Sequence, residues 1–254
     1  MKLGLQLFTL IDIMNGEDGL RKVMKMAADA GYEGVEFAGF YGLTVDEVVE
    51  ELKKNNLETA GIHLGWDEMS FDNLDKNPDI VIGNAKKLGA QSVTVASYVG
   101  KTVEEWLAFA AKMNKYGEMF RKEGILFGYH NHRHEVLKMD GKYVIDILLE
   151  NCDPENVFWE LDPRHIIIPG EDPVYFAKKY SGRIPVLHMR DVECITGPDT
   201  AKDTAVGLGI VDIPGVVAAS GDHKWLVVEE GPGPDNAEHV KISADYIKKT
   251  FLNK

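Results

Sequence analysis

The chain has 254 residues and a formal net charge of −13, and 44% of its side chains are hydrophobic. This composition is that of a globular protein, and no apolar stretch reaches the roughly 18 residues that a membrane-spanning helix requires. The acidic excess repels phosphate backbones and argues against a nucleic-acid partner. Cys152 and Cys194 are far apart in the sequence, so neither a disulfide framework nor a structural zinc site is expected. The N-terminus lacks the pattern of a signal peptide, and we expect a cytoplasmic protein that binds no membrane.

Eight short apolar runs recur along the chain, with helical patterns between them. The predicted strands are residues 3–8, 34–37, 59–63, 92–96, 125–130, 157–162, 184–188 and 225–229. Short β-rich runs that alternate with helices are typical of βαβ units and a parallel sheet. Eight such units close naturally into a barrel, so we predict that residues 1–254 form a single (β/α)8 TIM-barrel domain of the α/β class. An open doubly wound sheet, the alternative, would need a glycine-rich turn after the first strand, and that segment lacks one.

Helix and loop signals lie between the predicted strands. Thr44 with Glu47 and Thr102 with Glu105 have the spacing of capping boxes, in which a hydroxyl and a carboxylate satisfy the first N–H groups of a helix. Residues 197–209 have neither helical nor strand periodicity, and we predict a long loop there. Because this stretch follows the seventh strand, we expect it on the face formed by the C-terminal strand ends.

Six predicted strands end in a charged or imidazole side chain, although strands buried in a barrel should be nearly all apolar. These residues are Glu36, His63, His130, Asp162, His188 and Glu229. Each alone could simply be leaving the core to meet water, but all six fall at the end of a barrel that carries active sites. Imidazoles with carboxylates are a common ligand set for divalent metals, and a bound cation removes the repulsion between several carboxylates. We therefore expect a divalent metal at this face.

The ordered set of motifs resembles the sugar phosphate isomerase/epimerase superfamily, the xylose isomerase-like TIM barrels, over essentially the whole chain. The motifs are GLQLFT at 4–9, GVEF at 34–37, GIH at 61–63, YHNH at 129–132, ELD at 160–162, LHMRD at 187–191, GLG at 207–209 and VEE at 228–230. Within the superfamily the chain is similar to the branch that carries the YHNH motif.

The resemblance implies a metal, Mn²⁺, Co²⁺, Zn²⁺ or Mg²⁺, held by one residue from each of strands five to eight. In the ketose epimerases of the superfamily these ligands are Glu, Asp, His and Glu. Asp162, His188 and Glu229 match the last three by position, and His130 stands where the first glutamate is usual. A carboxylate near His130, such as Glu135 or Glu160, and Glu230 in place of Glu229 are the alternatives.

The leading functional hypothesis is a sugar isomerase or epimerase acting on a keto-sugar or sugar phosphate. It would abstract a proton and form a metal-stabilised enediolate. Glu229 would be the main acid/base residue, with His130 or His132 as its counterpart. The expected substrate contacts are His165, Arg190, His63 and Glu36.

Two other functions remain open at this point. A lyase or dehydratase on a keto-sugar or keto-inositol would begin with the same proton abstraction. A sugar-binding barrel without catalysis is the second alternative, whereas the related endonucleases acting on abasic DNA fit poorly with the net charge. The partner is expected to be a small-molecule sugar, and a homodimer or homotetramer is left open. Gly207 and Gly209 lie where barrels often bind phosphate, and Trp66 and Tyr98 are candidates to line the pocket.

Overall fold

The computed structural model describes residues 1–65, 68–197 and 200–252. Eight parallel strands hydrogen-bond side by side and form the barrel. They are β1 (Lys2–Gln6), β2 (Gly34–Phe37), β3 (Glu58–Leu64), β4 (Ser92–Val95), β5 (Leu126–His130), β6 (Phe158–Glu160), β7 (Val186–Met189) and β8 (Trp225–Val228). Each strand pairs with its sequence neighbours, β8 pairs with β1, and a bridge between Leu161 and Leu187 closes the ring between β6 and β7. The predicted (β/α)8 barrel is confirmed.

Helices occupy the connections, as the alternating pattern predicts. The α-helices are α1 (Ile11–Met14), α2 (Gly19–Asp29), α3 (Val45–Asn55), α4 (Phe71–Lys76), α5 (Pro78–Lys87), α6 (Val103–Lys122), α7 (Val144–Glu150), α8 (Pro163–Ile167), α9 (Pro173–Lys179), α10 (Ile213–Ser220) and α11 (Asn236–Ile247). Short helical turns add Leu7–Leu10, His134–Val136 and Lys248–Leu252. Within the described ranges, no helix is both long and apolar enough to cross a membrane.

Most predicted strands differ from the structure by one or two residues at an end, and two of these differences have a clear physical cause. β1 stops at Gln6 because the Gln6 side chain accepts a hydrogen bond from the Phe8 backbone N–H, which caps the helical turn that follows. β7 begins at Val186, two residues later than predicted. The missing positions are Ile184 and Pro185, and Pro185 has no N–H to donate to a neighbouring strand.

The two predicted capping boxes have different outcomes. At α3 the box is complete, because Thr44 accepts from the Glu47 N–H and Glu47 accepts from the Thr44 N–H. At α6 the Thr102 hydroxyl accepts from the Glu105 N–H, but the Glu105 carboxylate accepts from the Lys101 N–H, 2.6 Å away. The second half of that prediction was wrong, since the turn before the helix offers the carboxylate a nearer donor.

The prediction of a long loop over 197–209 was wrong at its start. Strand Asp191–Gly197 pairs with Thr200–Thr204 in an antiparallel ribbon that follows β7. The ribbon has little hydrophobic alternation because it is mostly exposed, so the sequence carried no strand signal there. Its position at the C-terminal end of the barrel agrees with the prediction.

Two helical glycines should respond in opposite directions to substitution by alanine. A Cβ at the buried Gly117 of α6 would collide with the backbone carbonyl of Asn156, whereas one at the exposed Gly83 of α5 would meet nothing within 4 Å. We expect Gly117→Ala to destabilise the protein by about 1–3 kcal/mol through overpacking. Gly83→Ala should stabilise it by about 0.4–1 kcal/mol, because alanine restricts the unfolded chain. Denaturant midpoints measure both, and equal shifts of the same sign would contradict this close approach of α6 to the loop before β6.

Candidate functional site

Four side chains from the last four strands meet at the C-terminal end of the barrel. They are His130 at the end of β5, Asp162 after β6, His188 in β7 and Glu229 after β8. One ligand atom from each lies within 4.8 Å of the others, and all four residues are buried. The structure therefore brings together the four residues that the sequence nominated for a metal.

Asn131 joins two of the strands that carry this cluster. Its Oδ1 accepts hydrogen bonds from Trp159 Nε1 and from the Asp162 backbone N–H, each 2.9 Å long, and its Nδ2 donates to the Asp162 carbonyl. Asp162 in turn caps α8 by accepting from the Arg164 N–H. The sequence analysis assigned no role to Asn131, although it is the third residue of the YHNH motif. Only the fold reveals that its amide ties the end of β5 to the chain at and after β6.

The ring of His188 lies between two carboxylates. Its Nδ1 is 2.9 Å from Glu229 Oε2 and its Nε2 is 2.9 Å from Glu36 Oε2. Histidines that bind metals commonly use one ring nitrogen for the metal and donate the N–H of the other to a carboxylate. Glu36, which also accepts from Gln6 Nε2 at 2.8 Å, lies on the side where such a second partner is needed. Glu36 is fully buried, and its carboxylate contacts the side chains of Gln6, His63 and His188.

A second donor set overlaps the first and lies around β3 and β6. His63 Nε2 is 2.6 Å from Glu160 Oε2 and 3.1 Å from Glu36 Oε2. His63 and Glu160, together with His130 and His188, also place one ligand atom each within 4.8 Å of one another. Glu160, one of the alternative ligands, is thus close enough to take part, whereas Glu135 is not in either set.

The donor sets fit a divalent cation by their chemistry. Imidazole nitrogens and carboxylate oxygens are mixed, as at sites for Zn²⁺, Mn²⁺ or Co²⁺. Among the described residues, the buried His130 Nδ1 and Glu36 Oε1 have no hydrogen-bond partner. Buried polar atoms are nearly always partnered, so unsatisfied ones in the middle of a ligand cluster indicate a missing partner.

The protonation of the cluster reflects its crowded carboxylates. Burial raises the pKa of Glu160, and the charge of Glu36 raises it further. Burial alone would lower the pKa of His63, but Glu36 and Glu160 outweigh it and raise that pKa to about 10. Protonated His63 therefore offsets the negative charge of Glu36 and Glu160, and a bound divalent cation could do the same.

Arg190 links the cluster to the ribbon. Its Nη1 is 3.4 Å from both Asp162 Oδ2 and Glu229 Oε2, and its Nη2 is 3.1 Å from Asp203 Oδ2. Burial would raise the pKa of Glu229, but Arg190 and His188 hold it below its ordinary value, so Glu229 is ionised. Asp203, which also pairs with Arg164, was missed by the sequence analysis because it lies in the segment interpreted as a loop.

The remaining predicted substrate contacts lie beside the cluster. The rings of His132 and His165 are 4.7 Å apart, and Arg190 Nη1 is 3.4 Å from His165 Nε2. Burial lowers the pKa of His132 to about 4, so its ring is neutral at pH 7. The Nδ1 atoms of both histidines lack hydrogen-bond partners in the part of the chain that the structure describes.

Other candidates have contacts outside the cluster. Glu230 pairs with His239 at 2.8 Å, so Glu229 is the glutamate that faces the other ligands. Glu135 accepts from the Tyr129 hydroxyl and from the His132 backbone N–H, which holds the loop after β5. Tyr98 stacks on a neighbouring phenylalanine ring and packs in the core. Trp66 lies outside the described residues.

Gly61 leaves the space that the Glu36 carboxylate occupies. A Cβ at Gly61 would collide with Glu36 Oε1 and lie 2.7 Å from Ser92 Oγ. We expect Gly61→Ala to displace Glu36 from His188 and to weaken metal binding by about 10- to 100-fold, as changes to the partners of metal ligands do. Overpacking should also cost about 1–3 kcal/mol of stability. Metal titration and thermal unfolding measure the two effects.

Gly34→Ala is the matched control for that experiment. Its Cβ would crowd the Trp225 ring at 2.7 Å and the Glu58 carbonyl at 2.9 Å, at the opposite end of the barrel. This variant should lose stability and keep its metal affinity. Equal losses of metal affinity in the two variants would assign the effect of Gly61 to general strain in the barrel.

Comparison with known proteins gives one family and several similar folds. A family model described as a xylose isomerase-like TIM barrel matches residues 24–250. An inosose dehydratase from Mesomycoplasma hyopneumoniae (strain 7448) is 25% identical over 274 aligned positions, which cover 92% of this chain and 90% of that protein. A sugar phosphate isomerase/epimerase from Parabacteroides distasonis ATCC 8503 has a TM-score of 0.79 and 23% identity, covering 100% of this chain and 96% of the other. The IOLI protein with a bound zinc atom has a TM-score of 0.74 and 16% identity, covering 100% and 98%.

Proposed function

Because the chain belongs to the xylose isomerase-like TIM barrel family, we propose that it is a metal-dependent enzyme that removes a proton beside the carbonyl group of a keto-sugar. The observation that carries the proposal is the meeting of His130, Asp162, His188 and Glu229 within 4.8 Å at the barrel end that hosts active sites. The proposal treats residues 1–254 as one catalytic domain acting on a small-molecule sugar in the cytoplasm.

The proposed metal ligands are those four residues. When bound, a divalent cation supplies a Lewis acid that polarises a carbonyl oxygen and stabilises negative charge developing on it. The zinc atom bound by the structurally similar IOLI protein supports a divalent ion of this kind. Glu36 would hold His188 in place through its contact with Nε2, which makes Glu36 a positioning residue in this proposal.

The acid/base work falls to Glu229 and a histidine. Glu229 is ionised and can accept a proton from the substrate carbon. His132, with a neutral ring, can accept or return a proton at the neighbouring oxygen or carbon, and His130 is the alternative counterpart. Arg190 and His165, 3.4 Å apart, would hold substrate oxygens next to Glu229.

Two outcomes can follow proton removal. Returning a proton to the opposite face of the same carbon gives epimerisation, and returning it to the former carbonyl carbon gives isomerisation. This pair of reactions is the leading candidate because the site offers two acid/base groups. Loss of a β-leaving group gives a lyase, and the similarity to inosose dehydratase over 92% of the chain specifically favours this second candidate.

Exchange in D₂O separates the candidates. The metal-loaded protein is incubated with a panel of ketoses and keto-inositols, and products are followed by NMR and mass spectrometry. Deuterium at the carbon beside the carbonyl together with an isomeric product supports the first candidate, and loss of water or an aglycone supports the lyase. If the metal-loaded protein exchanges no substrate in the panel, proton abstraction from keto-sugars is abandoned in favour of a binding function.

A further inference from the structure

A small pocket beside the metal cluster has an unusual lining for this acidic chain. Its volume is about 240 Å³, and its polar lining residues are Ser97, His132, Arg133, His134, Arg164 and His165. Among the described residues, none that lines it carries a carboxylate, although the chain has 41 acidic against 28 basic side chains. Two guanidinium groups therefore supply positive charge to this surface, and three imidazoles add ring nitrogens that can form hydrogen bonds.

Two lining residues have nitrogen atoms that are not used by partners within the described residues. His165 is only 9% exposed, and its Nδ1 has no hydrogen-bond partner within the described ranges. Arg164 uses Nε for its ion pair with Asp203, and the structure records no ion pair from its terminal nitrogens to other described residues. A buried ring nitrogen without a partner is rare in folded proteins and is explained when a ligand supplies the partner.

The pocket lies next to the proposed reaction site. It shares His132 and His165 with that site, and the His165 ring centroid lies 6.2 Å from that of His130. A substrate whose carbonyl end reaches the metal cluster would therefore extend its other end toward Arg133 and Arg164.

The usual phosphate position of such barrels is already filled in this protein. The backbone N–H groups of Gly207 and Gly209 each donate to Asp191 Oδ2 at 3.0 Å. A phosphate cannot use these donors while the Asp191 carboxylate holds them. An acidic group on the substrate needs another location on this face.

We propose that the pocket between Arg133, Arg164 and His165 binds an acidic group of the substrate, a carboxylate or a phosphate. The inference rests on the proposed function and specifies its substrate class as an acidic keto-sugar. Guanidinium groups suit this role, because their planar donors match the oxygens of carboxylate and phosphate and stay charged at all relevant pH values.

Binding of inorganic phosphate tests the pocket without requiring turnover. Calorimetric titration is carried out at fixed ionic strength on the metal-loaded protein and on the Arg133→Gln, Arg164→Gln and Arg121→Gln variants, with acetate as a second probe. We expect saturable binding that weakens by about 10- to 100-fold in the first two variants, since each removes a charged donor. Arg121→Gln, at an exposed arginine of α6 that contacts Asn156, should bind like the wild type.

The metal is a competing anion site and needs its own control. Phosphate binding that survives in the His188→Ala protein belongs to the pocket, and binding that disappears there overturns the proposal. Equal weakening by all three arginine variants also overturns it. Preference for phosphate over acetate assigns the acidic group as a phosphate, and the reverse preference assigns it as a carboxylate.

Exchange in D₂O with fructose and fructose 6-phosphate, or with a keto-acid where acetate binds better, separates this inference from the proposed function. The expected result is a lower KM for the acidic sugar that is lost in Arg133→Gln, with the neutral sugar unaffected. Phosphate binding that depends on the arginines, without any exchange, supports the pocket proposal and overturns the proposed function. Exchange together with a phosphate affinity that is unchanged in Arg133→Gln and Arg164→Gln supports the proposed function and overturns the pocket proposal.

Discussion

The His188→Ala protein is expected to purify without a stoichiometric divalent metal and to lose at least about 10²- to 10³-fold in the rate of substrate proton exchange, the usual cost of losing one group that stabilises a developing oxyanion. His188 is fully buried and its two ring nitrogens lie 2.9 Å from Glu229 and Glu36, so its removal breaks the centre of the ligand cluster. Metal content by mass spectrometry and exchange in D₂O measure the two losses.

A matched histidine outside the cluster provides the control. His239 also contacts a glutamate, Glu230, but has no atom in the ligand sets, so His239→Ala should keep metal and activity. Asp162→Asn distinguishes the donor set that contains Glu229 from the one that contains His63 and Glu160. It should release metal held with Glu229 and retain metal held by His63 and Glu160. Unchanged exchange in His188→Ala would remove the metal from the mechanism.

Glu229→Gln is expected to lower proton exchange by about 10²- to 10⁴-fold, the range that a general base contributes. Glutamine keeps the size of the side chain but cannot accept the proton, and it also removes the negative partner of Arg190 and His188. Metal content is measured in the same sample, because loss of metal accounts for part of the effect if Glu229 is also a ligand.

Glu230→Gln makes the same chemical change one residue further along the chain. Glu230 points to His239, away from the cluster, so its substitution should leave the exchange rate within a few-fold of the wild type. Equal losses in the two variants would mean that the loop after β8, and not the Glu229 carboxylate, controls the reaction. A loss confined to Glu230→Gln would reverse the assignment of the two residues.

The barrel and its ligand cluster were predictable because both depend on local signals. Apolar runs fix the strands, and a polar residue that ends such a run must lie at the mouth of a barrel. This is why six polar residues, far apart in sequence, could be expected at one end of the barrel. The resemblance to the family then selected His130, Asp162, His188 and Glu229 as the metal ligands, and the structure brings these four together.

Contacts that depend on how loops cross the barrel mouth could not be predicted. Asp203 reaches Arg190 and Arg164 only because an exposed ribbon folds over the site, and exposed strands carry little hydrophobic pattern. The role of Asn131 depends on how the residues after β5 and β6 lie beside each other. The hydrogen bond from the Lys101 backbone N–H to the Glu105 carboxylate depends on the path of the turn before α6. These are distances in three dimensions that residue spacing does not encode.

The carboxylate of Asp191 has a consequence for the thermodynamics of substrate binding. It accepts from the N–H groups of Val192, Gly207, Gly209 and Val211 at 2.9–3.0 Å and is 1% exposed. In many binding sites the ligand must order a flexible loop, and the conformational entropy that the loop loses lowers the affinity. Here the chain supplies the anion itself, so these four amides should resist hydrogen exchange equally with and without substrate. The loop after the ribbon is preorganised, and substrate binding need not order it.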